Sequence, residues 1–248
     1  MPFIAINNLP AIQALAKGAF ALPTMVGNPN PLLADTPRLR SSITGMQTIM
    51  RNVGLGQIAA LIDVTNNRSL PQQMRDLEQR MLDNMRAYLR NPNLALLVEI
   101  FHMVQLWGGR AGRNIYVMKG KFAKNWKAKA YQQFVDASVT PVGWPGADPR
   151  VPRLIAAADQ INQFGVAFAS KHARFWAQAA NVEPLSIYDR IMARGCLGKN
   201  ANWNDYGHFN AQMADHALQA NTDVATLECQ AFNAFDTPSG AVWLAARG

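Results

Sequence analysis

Residues 69–90 read SLPQQMRDLEQRMLDNMRAYLR, and within them Met74, Leu77, Met81, Met85 and Tyr88 recur at spacings of three and four. That period sets all five on one face of an α-helix. Ser69 and Gln72 stand as a capping box at its start, the serine placed to take an orphan amide of the first turn. Asn91-Pro92-Asn93 ends this helix and caps the next, Leu94 to Leu106, whose nearly unbroken apolar character predicts burial on most sides. Trp107-Gly108-Gly109 closes the second helix.

Working outward, further helices are expected at 122–137, 152–164, 170–180, 189–194, 203–220 and 222–235. A short N-terminal helix precedes a long loop from Pro23 to Pro37, where Asn28-Pro29-Asn30-Pro31 breaks any regular element. No stretch alternates as a strand would, so the fold class is all-α. Pro141, Gly143, Trp144, Pro145, Gly146 and Pro149 crowd one segment. They set a soft boundary between two packed helical lobes, residues 1–140 and 141–248, which can equally form one domain.

Composition narrows the function classes. With 49% hydrophobic and 16% charged residues over 248 positions, the chain lies far from the disordered range and can bury a substantial core. The longest apolar run, Leu94 to Trp107, contains Glu99 and His102 and is too short to span a bilayer. Met1 to Pro23 has no basic region ahead of an apolar run, so no secretory signal is read and cytoplasmic residence is expected. Cys196 and Cys229 lack the paired spacing of a zinc site, and His208 and His216 are too far apart for a helical zinc pair. No nucleotide-binding glycine loop is present, so neither a metal nor a cofactor is expected.

The formal net charge is +8, and its location matters more than its size. From Phe101 to Val135 there is no Asp or Glu, while Arg110, Arg113, Lys119, Lys121, Lys124, Lys127 and Lys129 all fall inside. Lys121, Lys124 and Lys127 are spaced to lie along one side of a helix. Gly108, Gly109 and Gly112 allow a close backbone approach to a phosphate around Arg110 and Arg113. Trp107 and Trp126 add flat surfaces for stacking. The stretch reads as a nucleic-acid surface; the plain alternative is a solvated basic face with the tryptophans in the core.

Phe164-Gly165-Val166-Ala167-Phe168-Ala169-Ser170-Lys171 joins two helical patterns, and an apolar helix then leads to Leu185-Ser186-Ile187-Tyr188-Asp189-Arg190-Ile191. Over these thirty or so residues the chain resembles the helix-hairpin-helix DNA glycosylases, in their 8-oxoguanine DNA glycosylase-like branch. In that family a lysine opens the helix after a hairpin and an aspartate opens the following helix. The resemblance implies that Lys171 is the nucleophile and Asp189 the essential carboxylate. Ser170-Lys171 stands where the family often has Thr-Lys, with Gly165 and Ser170 beside the DNA strand. Where the family hairpin carries glycines, this chain has Ala167 and Ala169, and Gly165 is the one retained nearby.

What the resemblance implies is excision of a damaged or modified base that has been flipped from the duplex, with or without strand-nicking lyase activity. A carboxylate such as Asp189 stabilises the positive charge that builds on the sugar, and a neutral Lys171 amine attacks C1′. The family often places an aromatic of a C-terminal helix against the flipped base, which singles out Phe232 or Phe235. The structural alternatives are an exposed Lys171 and an Asp189 that only caps a helix. DNA is the expected partner, met by a monomer. The runner-up is a noncatalytic helical DNA-binding protein, and a third reading is a helical protein unrelated to DNA. His102 reads as a hydrogen-bonded core histidine, His172 as facing either pocket or solvent, and Trp203, Tyr206, Phe209 and Met213 as a core stripe.

Overall fold

Ser69 caps its helix as its position predicts, accepting from the Gln72 N–H at 3.3 Å, but the Gln72 amide turns forward to Asp76, so only half of the capping box forms. Asn93 caps the following helix through the Leu96 N–H at 2.8 Å. The computed structural model describes residues 4–5, 20–24, 34–65, 68–118, 121–142 and 148–247. The short helix expected before Pro23, along with Trp144 to Gly146, lies outside them.

Apart from a two-residue parallel pairing of Ile4–Ala5 with Pro23–Thr24, the described residues are helical or irregular. The helices are α1 (Pro37–Asn52), α2 (Gly56–Ala59), α3 (Leu70–Arg90) and α4 (Leu94–Gly108), then a 3-10 turn (Arg110–Arg113). They continue as α5 (Asn114–Val117), α6 (Phe122–Asn125), α7 (Ala128–Ser138), α8 (Arg150–Ala158) and α9 (Val166–Ala180). The last four are α10 (Arg190–Leu197), α11 (Trp203–Gln219), α12 (Val224–Phe235) and α13 (Pro238–Arg247). Among the described residues no helix is long and apolar enough to cross a membrane.

The chain forms two units, and the segments alternate between them. One comprises residues 34–143 and 149–183; the other comprises 1–33, 144–148 and 184–248. Residues 149–183, expected in the C-terminal lobe, therefore group with the basic stretch, and the chain leaves that unit between Glu183 and Pro184. In the 34–183 unit, α3, α4 and α9 pack together. Phe101 on α4 gathers Phe122, Trp126, Tyr131, Phe164 and His172 around its ring at 4.7–5.7 Å. Arg150, 1% exposed, donates to the Glu183 carbonyl at 2.8 Å and ties the start of α8 to the end of the unit. In the other unit Leu185, Met192, Phe209, Leu227 and Trp243 are buried together, and the Trp243 indole N–H donates to the Gly195 carbonyl.

One helix expected from periodicity is divided and another is cut short. The expected 122–137 helix breaks at Trp126 and Lys127, both extended. Tertiary contacts outweigh local propensity there: Asn125 is fully buried and donates to the Ile115 and Met118 carbonyls, and Trp126 packs edge-on to Phe101. The expected 152–164 helix stops at Ala158, and Gln163 takes a left-handed turn (φ 64°) that carries Phe164 into the aromatic cluster. Helix α9 then begins at Val166, four residues ahead of the expected start at Ser170.

Candidate active site and nucleic-acid surface

The early start of α9 shifts the expected hairpin. The turn is residues 159–165, between α8 and α9, and Val166 to Lys171 are already helical. Ala167 and Ala169 are not among the residues with positive φ, so the backbone freedom of glycine is not needed at either. Lys171 sits in the second turn of α9 and does not open it. Gly165 is the exposed N-cap, with no side-chain capping bond and no acidic residue in the first turn. Ser170 is fully enclosed, which removes it from any contact with a phosphate.

Lys171 is 6% exposed, and its Nζ lies 5.5 Å from the centroid of the Phe168 ring one turn earlier. Lysine is among the side chains least often buried. The room for it comes from Gly108 at the end of α4. A Cβ on that residue would stand 2.5 Å from Phe168 Cε1 and 3.1 Å from Lys171 Cδ. Gly112 is equally close to the Phe168 ring, at 2.4 Å from a would-be Cβ. Two of the three glycines expected to approach a phosphate thus serve to seat Phe168 and the stem of Lys171. Gly109 carries the positive φ of 72° that turns the chain out of α4.

Beneath Lys171 runs a buried polar chain. Trp176 Nε1 donates to Tyr131 Oη at 3.1 Å, and Tyr131 Oη meets His172 Nδ1 at 2.6 Å. An indole N–H can only donate, so Tyr131 Oη accepts from Trp176 and shares one further proton with His172 Nδ1, while the Gln105 amide lies 3.3 Å from Nε2. Burial holds the His172 imidazole neutral, and its proximity to Lys171 and to the His102 ring pushes in the same direction. His102, bonded to Tyr116 Oη at 2.9 Å, is lowered by burial to about 4. Both histidines are core groups of this unit.

The cations of the basic stretch are exposed. Arg110 and Arg113 lie on the 3-10 turn that follows Gly109, while Lys121, Lys124, Lys127 and Lys129 lie farther along. Lys119 lies outside the described residues. Because of the break at Trp126, Lys121 precedes α6, Lys124 is within it and Lys127 precedes α7, so the three do not share one helical face. Trp107 and Trp126 are half-buried, packed edge-on to Phe175 and Phe101, and are not flat open surfaces.

In the other unit, half-buried Asp189 caps α10, its Oδ1 accepting from the Ile191 and Met192 N–H groups at 2.9 and 3.1 Å. The segment leading to it is fully buried and held by three side chains. Asn210 Oδ1 accepts from the Ser186 N–H, Tyr206 Oη donates to the Ser186 carbonyl, and Glu228 accepts from the Ile187 N–H. Sequence reasoning missed Asn210 and Glu228. Their signal was a polar residue on an apolar helical stripe, as with Glu228 among Val224, Leu227, Ala231 and Phe235. Phe235 is 1% exposed against Gly195 and Trp243, a core position that leaves no face for a base. Phe232 is half-buried. Among the described residues no cluster of three His, Cys, Asp or Glu could hold a metal.

No protein-family model, no curated protein and no solved structure matches this chain.

Proposed function

We propose that the protein is a DNA glycosylase of the helix-hairpin-helix type, with Lys171 as nucleophile and Asp189 as the supporting carboxylate. The observation that carries the reading is a lysine more than nine-tenths buried, lodged against the very glycine turn that presents Arg110 and Arg113 to solvent. An enclosed amine beside exposed phosphate-seeking cations suits an enzyme that holds the backbone and reacts with one sugar. The uncapped start of α9 at Gly165 adds backbone donors for a phosphate.

Lys171 Nζ forms a bond to C1′ through its lone pair while the C1′–base bond breaks, its electron pair leaving with the base, which takes up the proton that the amine sheds. Opening of the sugar ring and loss of the amine proton give an imine. Water returns the free lysine and an abasic site, or β-elimination breaks the 3′ C–O bond. Asp189, ionised, steadies the positive sugar without taking a proton.

Borohydride trapping on a panel of duplexes carrying oxidised or otherwise modified bases tests this. At least one duplex is expected to give a covalent complex that Lys171→Gln abolishes and Asp189→Asn slows at least 100-fold. Excision by both variants at the parental rate would sink the assignment. Salt-sensitive binding with no abasic product from any duplex would leave the noncatalytic DNA-binding reading.

A further inference from the structure

We infer that the outward face of α1, with Arg110 seated along its edge, is a second contact surface for the sugar-phosphate backbone of duplex DNA. This rests on the proposal that the 34–183 unit meets DNA, and is independent of the chemistry at Lys171.

Three observations carry it. Arg38, Ser41, Thr44, Thr48 and Arg51 are exposed and follow one another at three or four residues, so cations and hydroxyls form a band that winds across the exposed side of α1. No Asp or Glu occurs between Asp35 and Asp63, and the stretch around Arg110 is acid-free as well. The two stretches are joined physically. The Arg110 N–H donates to Ser42 Oγ at 3.1 Å, and Gly45 leaves the notch for its stem, since a Cβ there would lie 2.8 Å from Arg110 Cδ.

A solvated charged face ordinarily neutralises itself, and α3 of the same unit does so. On α3 and its flanks Arg68 pairs with Asp76, Arg86 with Asp83 and Arg80 with Glu99. Helix α1 itself, Pro37–Asn52, carries no acidic residue, and Asp35 just ahead of it pairs with Arg40. Two arginines bracket three hydroxyls, of which Thr48 donates back to the Thr44 carbonyl; phosphate oxygens accept from arginine and hydroxyl alike. Arg38 and Arg51 are about 20 Å apart along the axis at 1.5 Å per residue, roughly six base-pair steps at 3.4 Å each.

The test measures binding of an unmodified duplex by anisotropy across a salt series, with melting temperature followed in parallel. The Arg38→Gln/Arg51→Gln pair should bind at least 10-fold more weakly near 0.15 M salt, with a log K against log salt slope shallower by about 1.8, two phosphates at 0.9 each. Gly45→Leu keeps every charge but displaces Arg110, and should lower the slope by about one. Arg75→Gln/Arg80→Gln on α3 should leave the slope unchanged. If the α1 pair keeps the parental slope while Lys121→Gln/Lys124→Gln reduces it, this inference fails and the glycosylase reading stands. An equal loss on single strands overturns the duplex assignment. A parent that neither binds a duplex nor traps on one overturns both.

Discussion

The interior beneath Lys171 and the surface around Arg110 lie in one unit and obey different rules. Inside, Phe168 is wedged between Gly108 and Gly112, and Trp176, Tyr131, His172 and Gln105 form one hydrogen-bonded line. Each group there has its place only because its neighbours do. Outside, Arg110, Arg113, Arg38 and Arg51 are exposed, and under the proposed function they meet DNA by summed charge. The interior should therefore be intolerant of small changes in volume and sensitive to pH. The surface should tolerate substitution and report through salt.

The sharpest test of that contrast is Phe168→Ala, expected to cost about 4 kcal/mol of stability in urea unfolding. Gly108→Ala, about 2 kcal/mol on its own through overpacking, should cost far less in the Phe168→Ala background, because the ring it strikes is gone. Strictly additive costs would break the picture of a wedged ring.

Next in size is the response to acid. His102 and His172 are neutral in the fold, whereas the unfolded chain binds protons below about 6.5. The stability that a lowered histidine confers is complete above pH 6.5 and is lost as pH falls toward the folded value, about 4 for His102. The full swing for His102 is on the order of 3 kcal/mol, and part of it falls between pH 6.5 and 5, above the carboxylate range. Urea midpoints should decline across that window, less steeply in His102→Gln. A flat profile would show that the buried ring does not govern acid sensitivity.

The smallest effect belongs to the surface. Arg80→Gln, which removes a 3.9 Å ion pair with Glu99 on exposed side chains, should change stability by less than about 0.5 kcal/mol. A loss comparable to Phe168→Ala would erase the distinction between the two regions.

Helices α3 and α4 were legible in the sequence because their apolar periods run long and Ser69 and Asn93 cap them. Helix α1 was not nominated, although Thr36 caps it, Pro37 opens it and Ile43, Met46 and Met50 line its buried face. The break at Trp126 and the turn at Gln163 could not be read locally. Each is imposed by an aromatic side chain entering a cluster assembled from distant segments. For the site, the residue types of Lys171 and Asp189 were visible, but the burial of Lys171 was not, because it depends on Gly108 some sixty residues earlier. Phe235 shows the converse: an attractive aromatic near the C-terminus that Gly195 and Trp243 claim for the core.

By itself, the sequence determined the all-helical class, the acid-free basic stretch and the absence of zinc-type cysteine spacing, since composition and period act through nearest neighbours along the chain. Tertiary structure alone decided which glycines make room for Lys171, which cations share a surface with Arg110 and which unit each candidate residue joins. Those are contacts between segments far apart in sequence, and only close packing selects them.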